Sequence, residues 1–230
     1  MEQKILCIDI GGSHIKGAIH NEAGEMISAY KKFDTPLPAT PDKVLEVIQQ
    51  LAAALVGYEK ISVGFPGYVK DGVVITAPNL GSDAWHNIKF SEEIIALLGK
   101  PAKVVNDADM HGMGIAGGKG FEIVATIGTG FGTAFLYNGQ LLPHIELAHH
   151  PISKGRDYDE YIGQKAMDDA GKVKWNMRMS KVLSVLKTVF NYDHLYLGGG
   201  NASKIKFELD ENISIVTNLE GLKGGAMLWK

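Results

Sequence analysis

The chain holds a single cysteine, Cys7, among 230 residues. That excludes an internal disulfide and any zinc site built on several thiolates, and it suits a reducing, cytoplasmic home. A basic excess is also missing. Lys+Arg number 23 and Asp+Glu 26, for a net charge of −3. A surface that grips a nucleic acid duplex needs the opposite balance, so nucleic acid is not an expected partner. Uninterrupted apolar runs are lacking too. Residues 123–145 contain no Asp, Glu, Lys or Arg, yet Gly128, Gly130, Gly132, Asn138, Gly139, Gln140, Pro143 and His144 break the stretch. It reads as two strands around a glycine turn, not as a membrane helix, and no membrane partner is expected. Met1-Glu2-Gln3-Lys4 runs straight into an apolar strand, so no signal peptide is expected either. What is plentiful is glycine, at 28 residues. Such usage points to tight turns and to places where backbone approaches a ligand closely.

Residues 5–10 read as a buried strand, 14–20 as a second and 26–33 as a third, joined by the Gly11-Gly12 and 21–24 turns as antiparallel neighbours. Pro41 and the spacing of Val44, Val47, Ile48, Leu51 and Leu55 predict a helix. Strands follow at 61–65 and 102–105. Ser91 is expected to cap a helix between them, and residues 109–116 to form another after them. Strands at 123–127 and 133–137 bracket a second glycine turn. A long helix over 174–190, strands at 194–197 and near 213–216, and a short helix near 221–229 complete the pattern. The motif strand, glycine turn, strand thus occurs twice, as two lobes on one plan would produce. The expected division is 1–105 for an N-terminal lobe, 106–215 for a C-terminal lobe, and 216–230 for a C-terminal helix packing back on the first lobe.

Five segments carry candidate chemistry. In Asp9-Ile10-Gly11-Gly12-Ser13-His14-Ile15-Lys16, two glycines between strands turn backbone N–H groups toward an anion. Ser13 adds a hydroxyl, Lys16 a charge, and Asp9 a carboxylate suited to hydrated Mg²⁺; the alternative is a plain hairpin. Thr129, Gly130 and Gly132 form a second loop of the same type, followed by a strand instead of the helix that a dinucleotide fingerprint requires. Asp107, beside Asn106 at a strand end, suits acceptance of a hydroxyl proton, or else the pair caps a helix. Glu146, His149 and Glu160 suit hydrogen bonding to sugar hydroxyls, or are simply surface polarity. Gly198, Gly199 and Gly200 after a strand permit close packing of a flat group such as a nucleobase, or form a turn. Lys174, Arg178 and Lys181 share one helical face, a basic stripe that suits a polyanion or plain solvent.

Taken in order, these segments resemble the sugar kinases of the actin-like ATPase superfamily, and within it the ROK family. Asp9-Ile10-Gly11-Gly12-Ser13 is similar to the first phosphate motif, with Ser13 where Thr is usual. Gly64-Phe65-Pro66-Gly67 and Ala77-Pro78-Asn79-Leu80 are similar to sugar-cleft segments, and Asn106-Asp107-Ala108-Asp109 to the catalytic motif. Gly128-Thr129-Gly130-Phe131-Gly132 resembles the second phosphate motif, Glu146-Leu147-Ala148-His149 the sugar motif, and 197–202 the nucleotide-side motif. The resemblance implies an α/β fold of two ribonuclease-H-like lobes with a cleft between them. It implies transfer of a phosphoryl group from polyphosphate, ATP or both to the 6-hydroxyl of glucose, with Mg²⁺. Most ROK proteins carry a zinc motif of three cysteines after the sugar histidine; this sequence departs from that pattern, with no cysteine beyond Cys7, so no zinc is expected. Asp107 is then the base, and Asn79, Asn106, Glu146, His149 and Glu160 hold the sugar. A homodimer is the assembly it suggests. The alternatives are a kinase of another hexose or an N-acetylated sugar, or a sugar-binding relative without kinase activity. A repressor of the same family would need an N-terminal helix-turn-helix, for which a first strand at Ile5 is not expected to leave room.

Overall fold

After Lys4, every residue of β1 (Lys4–Ile10) is buried, as a central strand covered on both faces must be. The computed structural model to which it belongs describes residues 3–81, 83–216 and 221–230. β1 pairs antiparallel with β2 (His14–Asn21), which pairs antiparallel with β3 (Lys31–Asp34). α1 (Pro41–Ala54) crosses over to β4 (Lys60–Phe65), parallel to β1. Pro41 stands in the first turn of α1, where a missing N–H costs no helical hydrogen bond. Val44, Ile48, Leu51 and Ala52 form the buried face of α1. The small hairpin of β5 (Val69–Lys70) and β6 (Val73–Val74), then α2 (Phe90–Leu98), lead to β7 (Ala102–Asn106), parallel to β4. The sheet order is β3-β2-β1-β4-β7, and α3 (Asp107–Ile115) leaves β7 without a connecting residue. Trp85 packs at 4.7 Å from Phe65 and 5.0 Å from Phe90, while its indole N–H donates to the Ala39 carbonyl at 2.7 Å.

The second sheet repeats this plan. β8 (Phe121–Ile127) pairs antiparallel with β9 (Phe131–Tyr137), which continues to β10 (Gln140–Leu141). A two-stranded hairpin, β11 (Pro151–Ser153) and β12 (Arg156–Asp157), precedes α4 (Tyr158–Ile162), α5 (Gln164–Ala170) and α6 (Lys172–Phe190). β13 (His194–Gly198) returns parallel to β8, and β14 (Ile213–Ile215) parallel to β13, giving the order β10-β9-β8-β13-β14. Trp175, Met179, Val182 and Leu186 form the buried stripe of α6, and Trp175 donates to the Ile162 carbonyl at 2.7 Å. The buried Glu122 carboxylate accepts the N–H groups of Gly117, Gly118 and Lys119 and the Tyr196 hydroxyl. It thereby orders the segment that enters β8.

The chain divides into two compact units, Met1–Gly114 with Glu220–Lys230, and Ile115–Leu219. The division therefore follows Gly114, not Val105, because β7 is a strand of the first sheet and carries α3 with it. Of the expected C-terminal segment 216–230, residues 217–220 lie outside the described residues. The remainder includes α7 (Lys223–Met227), which packs on β1 and β4 of its own unit. Three local expectations need correction. The third strand does not run from Met26: Met26 only bridges His20, and the Ser28 hydroxyl takes the Ile19 N–H, so pairing resumes at Lys31. Ser91 does not cap α2; its hydroxyl donates to the Ala102 carbonyl and the helix starts at Phe90. α3 begins at Asp107, two residues before the expected start.

α7 seals the one cysteine. A side chain at Gly225 would strike Cys7 Sγ at 2.7 Å, so glycine there lets the helix backbone rest on β1. Ser62 Oγ donates to the Gly225 carbonyl at 2.6 Å and accepts the Trp229 indole N–H at 2.8 Å. The ammonium groups of Lys60 and Lys103 stand 4.6 and 4.7 Å from the Trp229 ring. Burial pushes the Cys7 thiol far above its ordinary pKa. Trp229→Ala is expected to destabilise the unit by about 1–3 kcal/mol in denaturant titration. It should also speed native-state labelling of Cys7 by a thiol reagent; labelling at the parent rate would show that the helix does not guard the thiol.

Candidate active site

In the first unit, β1 and β2 stay in register up to Ile10 opposite Ile15. The turn between them is closed by the Gly11 N–H donating to the His14 carbonyl at 2.9 Å. Thr35, just beyond β3, donates its hydroxyl to the Gly11 carbonyl at 2.6 Å and its N–H to the Ser13 carbonyl at 3.0 Å. With the loop carbonyls so engaged, Gly12 and Ser13 are left exposed at its tip. Asp9, 8% exposed, lies opposite Lys16 on the neighbouring strand, and the Lys16 ammonium donates to its Oδ2 at 3.3 Å. His111 Nε2 stands 4.0 Å from the same oxygen, and burial holds its imidazole below the ordinary histidine range.

Magnesium takes one or two carboxylates and completes its shell with water and substrate phosphate oxygens. Asp9 is one hard, mostly buried carboxylate at the base of an amide-rich loop, so the donor set fits such a loosely held ion. Among the described residues no group of three or more His, Cys, Asp or Glu is arranged to hold a metal by itself.

Asn106 is the last residue of β7 and buried; Asp107 is the first of α3 and half-buried. Asn106 Oδ1 accepts the N–H groups of Ala108 at 2.8 Å and Asp109 at 3.3 Å, and its amide donates to the Gly67 carbonyl at 3.0 Å. Asn106 is thus the helix cap, and Asp107 Oδ1 accepts the Ala108 N–H at 2.8 Å. Among the sugar-cleft segments, Asn79 lies in a short 3₁₀ turn, Pro78–Leu80, and its side chain lies outside the described residues.

In the second unit, Ile127 faces Phe131, leaving Gly128, Thr129 and Gly130 as the turn, with Thr129 exposed. The Gln164 N–H donates to the Gly128 and Thr129 carbonyls at 2.9 and 3.1 Å, and the Asn201 amide to Gly128 at 3.1 Å. Gly132 is the second residue of the descending strand β9, opposite Thr126. Gly199 adopts φ +90°, and a side chain there would collide with the Ile127 backbone. What Gly199 admits is therefore the backbone of Ile127 at the end of β8. Gly198 ends β13, and Gly200 faces open space.

Glu146 precedes a 3₁₀ turn, Leu147–His149. His144 Nε2 lies 3.1 Å from Glu146 Oε1 and holds that carboxyl below its ordinary value, against the opposing effect of burial. His149, with its side chain 58% exposed, pairs with Asp157 at 3.4 Å. Glu160 accepts the Asp157 N–H while Asp157 accepts the Glu160 N–H, a reciprocal cap on α4. Asp159 was not among the expected site residues. It accepts the Phe131 N–H at 2.6 Å, and a side chain at Gly130 would meet its carboxylate at 2.7 Å. Burial, aided by the Asp157 charge, raises its pKa. Thr35 and His111 were missed as well. His111 had a readable signal, four residues after Asp107 on the same helix. Thr35 and Asp159 had none, because their partners, Gly11 and Ser13 for one and Phe131 for the other, lie far away in sequence. The expected basic stripe on α6 is not continuous: Lys174 is exposed, but Arg178 is 9% exposed and donates to the Tyr161 carbonyl at 3.1 Å.

Two sheets of one strand order, each opened by a hairpin with a glycine turn, define a mixed α/β protein with the duplicated fold of the actin-like ATPases. The ROK family model matches residues 5–145, and the chain belongs to the ROK family. It is 32% identical over 237 residues to the polyphosphate glucokinase of Mycobacterium tuberculosis (strain CDC 1551 / Oshkosh), covering 96% of this chain and 89% of that protein. The inorganic polyphosphate/ATP-glucomannokinase of Arthrobacter sp. strain KM superposes with a TM-score of 0.85 at 30% identity, over 98% of each chain. A ROK family glucokinase from Streptomyces griseus, solved with glucose and AMPPNP, shares the fold at TM-score 0.77 and 19% identity, over 99% of this chain and 99% of that one. No helix among the described residues is long and apolar enough to cross a membrane.

Two predictions follow from these contacts. Asn106→Ala removes a cap and is expected to cost about 1–2 kcal/mol in denaturant titration; unchanged stability would deny the cap. A carboxyl with a lowered folded pKa stabilises above its unfolded value and loses that contribution as pH falls. Glu146→Gln should therefore flatten the fall in Tm below about pH 4.3, the ordinary glutamate value. A profile parallel to the parent's would show that the His144 contact carries no stability.

Proposed function

We propose that the protein phosphorylates glucose on its 6-hydroxyl, with inorganic polyphosphate or ATP as donor. The observation that carries the reading is Asp107: a half-buried carboxylate on the first turn of α3, set by the Asn106 cap at the carboxyl end of a parallel strand. Ligands of open α/β sheets bind at such strand ends. The names and coverage of the relatives support the choice of sugar and donor.

In this reading Asp107 takes the proton of the sugar hydroxyl as its oxygen bonds to phosphorus. The bond from phosphorus to the donor's bridging oxygen breaks, and the donor leaves one phosphoryl unit shorter. Gly11, Gly12 and Ser13 on one loop, and Thr129, Gly130 and Gly132 on the other, offer backbone N–H and hydroxyl donors to the donor phosphates, with Lys16 adding charge. Asp9 is the residue that would hold magnesium, through water, and the ion would supply neutralisation of charge on those phosphates. Asn79, Asn106, Glu146, His149 and Glu160 orient the sugar hydroxyls, and Gly198, Gly199 and Gly200 lie on the nucleotide side when ATP is the donor. Asn106 has one amide hydrogen beyond its link to Gly67 for that task. A homodimer in the cytoplasm belongs to the same reading.

The test is glucose 6-phosphate formation by purified protein with magnesium and either donor, read through a coupled dehydrogenase. Asp107→Asn should lower turnover by about 10²–10⁴ while glucose affinity, measured by calorimetry, changes less than several-fold. Near-parental turnover would reduce Asp107 to the start of a helix. No glucose 6-phosphate from the parent protein with either donor would overturn the reading altogether.

A further inference from the structure

Tyr161 on α4 gathers positive charge. The guanidinium carbons of Arg178 and Arg156 lie 5.1 and 5.8 Å from its ring centroid, and the Lys181 ammonium 5.5 Å. Arg178 also donates to the Tyr161 carbonyl, and Lys181 to the Ile152 carbonyl at 3.4 Å. Among the described residues none of the three forms an ion pair with a carboxylate. The acidic groups of the same segment are engaged elsewhere. Asp157 caps α4 and pairs with His149, Glu160 accepts the Asp157 N–H, and Asp159 accepts the Phe131 N–H.

Three like charges around one ring repel one another, and the ring's electrons offset that only in part. An anion placed among them would remove the repulsion. Arginine forks bind phosphate oxygens in pairs, and a lysine adds a mobile point charge. Arg178 is buried and fixed, Arg156 is half-buried and Lys181 is exposed, so the cluster has one anchored fork and an open rim. The ring itself is taken up by cations, which argues against stacking of a base. The helix that carries Tyr161 also bears Asp159, bound to the second glycine loop, and the next residue pair, Gly163-Gln164, touches Thr129 and Gly128 of that loop.

The geometry points to Arg156, Arg178 and Lys181 as a secondary contact for inorganic polyphosphate, one that holds phosphate units of the chain other than the unit transferred. The inference rests on polyphosphate being a donor. It requires that long chains use the contact and that ATP does not reach it.

The test compares the parent with Arg156→Gln/Lys181→Gln, leaving the buried Arg178 intact so that folding is spared; Tm confirms that the variant is folded. KM is measured for long-chain polyphosphate, tripolyphosphate and ATP, and long-chain polyphosphate binding is measured directly by calorimetry. The variant should show a KM for long chains raised about tenfold, as expected from two lost charge contacts, with weaker direct binding and a smaller dependence of that binding on salt. Tripolyphosphate and ATP kinetics should stay within about twofold. Arg178→Lys, which keeps the charge and loses the fork, should give a smaller defect of the same pattern. Equal losses with all three donors, or unchanged long-chain binding, would overturn the inference while leaving the kinase reading intact. Failure of the parent to bind long-chain polyphosphate would overturn it as well. Binding without turnover would sink polyphosphate as donor, and with it the inference, since no unit of the chain would then be transferred.

Discussion

The structure depends on two turns whose carbonyls are held by residues from elsewhere in the chain. In each sheet the central strand is buried and its antiparallel partner stays in register to the last pair, Ile10 with Ile15 and Ile127 with Phe131. The few residues between must reverse the chain while backbone from elsewhere presses on them. Thr35 binds the carbonyls of the first loop, and Gln164 and Asn201 those of the second. Buried carbonyls demand partners, and once they have them the remaining N–H groups are turned outward. Sheet register behind the loops and these carbonyl bonds together fix the loop backbone.

The same economy governs the side chains. Asn106 ends a strand, caps a helix and holds the Gly67 loop with one amide. Glu160 and Asp157 close the first turn of α4, so two carboxylates that look available in the sequence are partly committed to backbone. Asp159, between them, is drawn against the second loop, where burial raises its pKa. With the acids so occupied, the cations around Tyr161 are left with carbonyls and a ring. Hydrogen bonding therefore decides which acids and bases of this region pair with one another.

Much of the architecture could be read from residue spacing. The fully apolar run at Leu6-Cys7-Ile8 and the period of Val44, Ile48 and Leu51 each match the buried face that was expected. These are local signals, set by side-chain period, and burial follows them. The errors came where a distant group intervened. Ser28 broke a strand by taking an N–H that pairing needed, and Ser91 turned to a strand carbonyl instead of capping its helix. Arg178, expected on a solvated stripe, was drawn under Tyr161.

By itself the sequence determined most of the order of strands and helices, though not the β11–β12 hairpin, α4 and α5; it also determined the duplication of the strand, glycine turn, strand unit, and the family, because each is a matter of residue type at short spacing. Tertiary structure alone decided which unit each segment joins. β7 and α3 went to the first unit because β7 finds its hydrogen-bond partner in β4, and α7 because Gly225 lets it rest on Cys7. It also decided which polar groups remain available for chemistry. A donor or acceptor is committed only when another chain segment arrives to meet it, and that meeting is set by sheet register and packing between residues far apart in sequence.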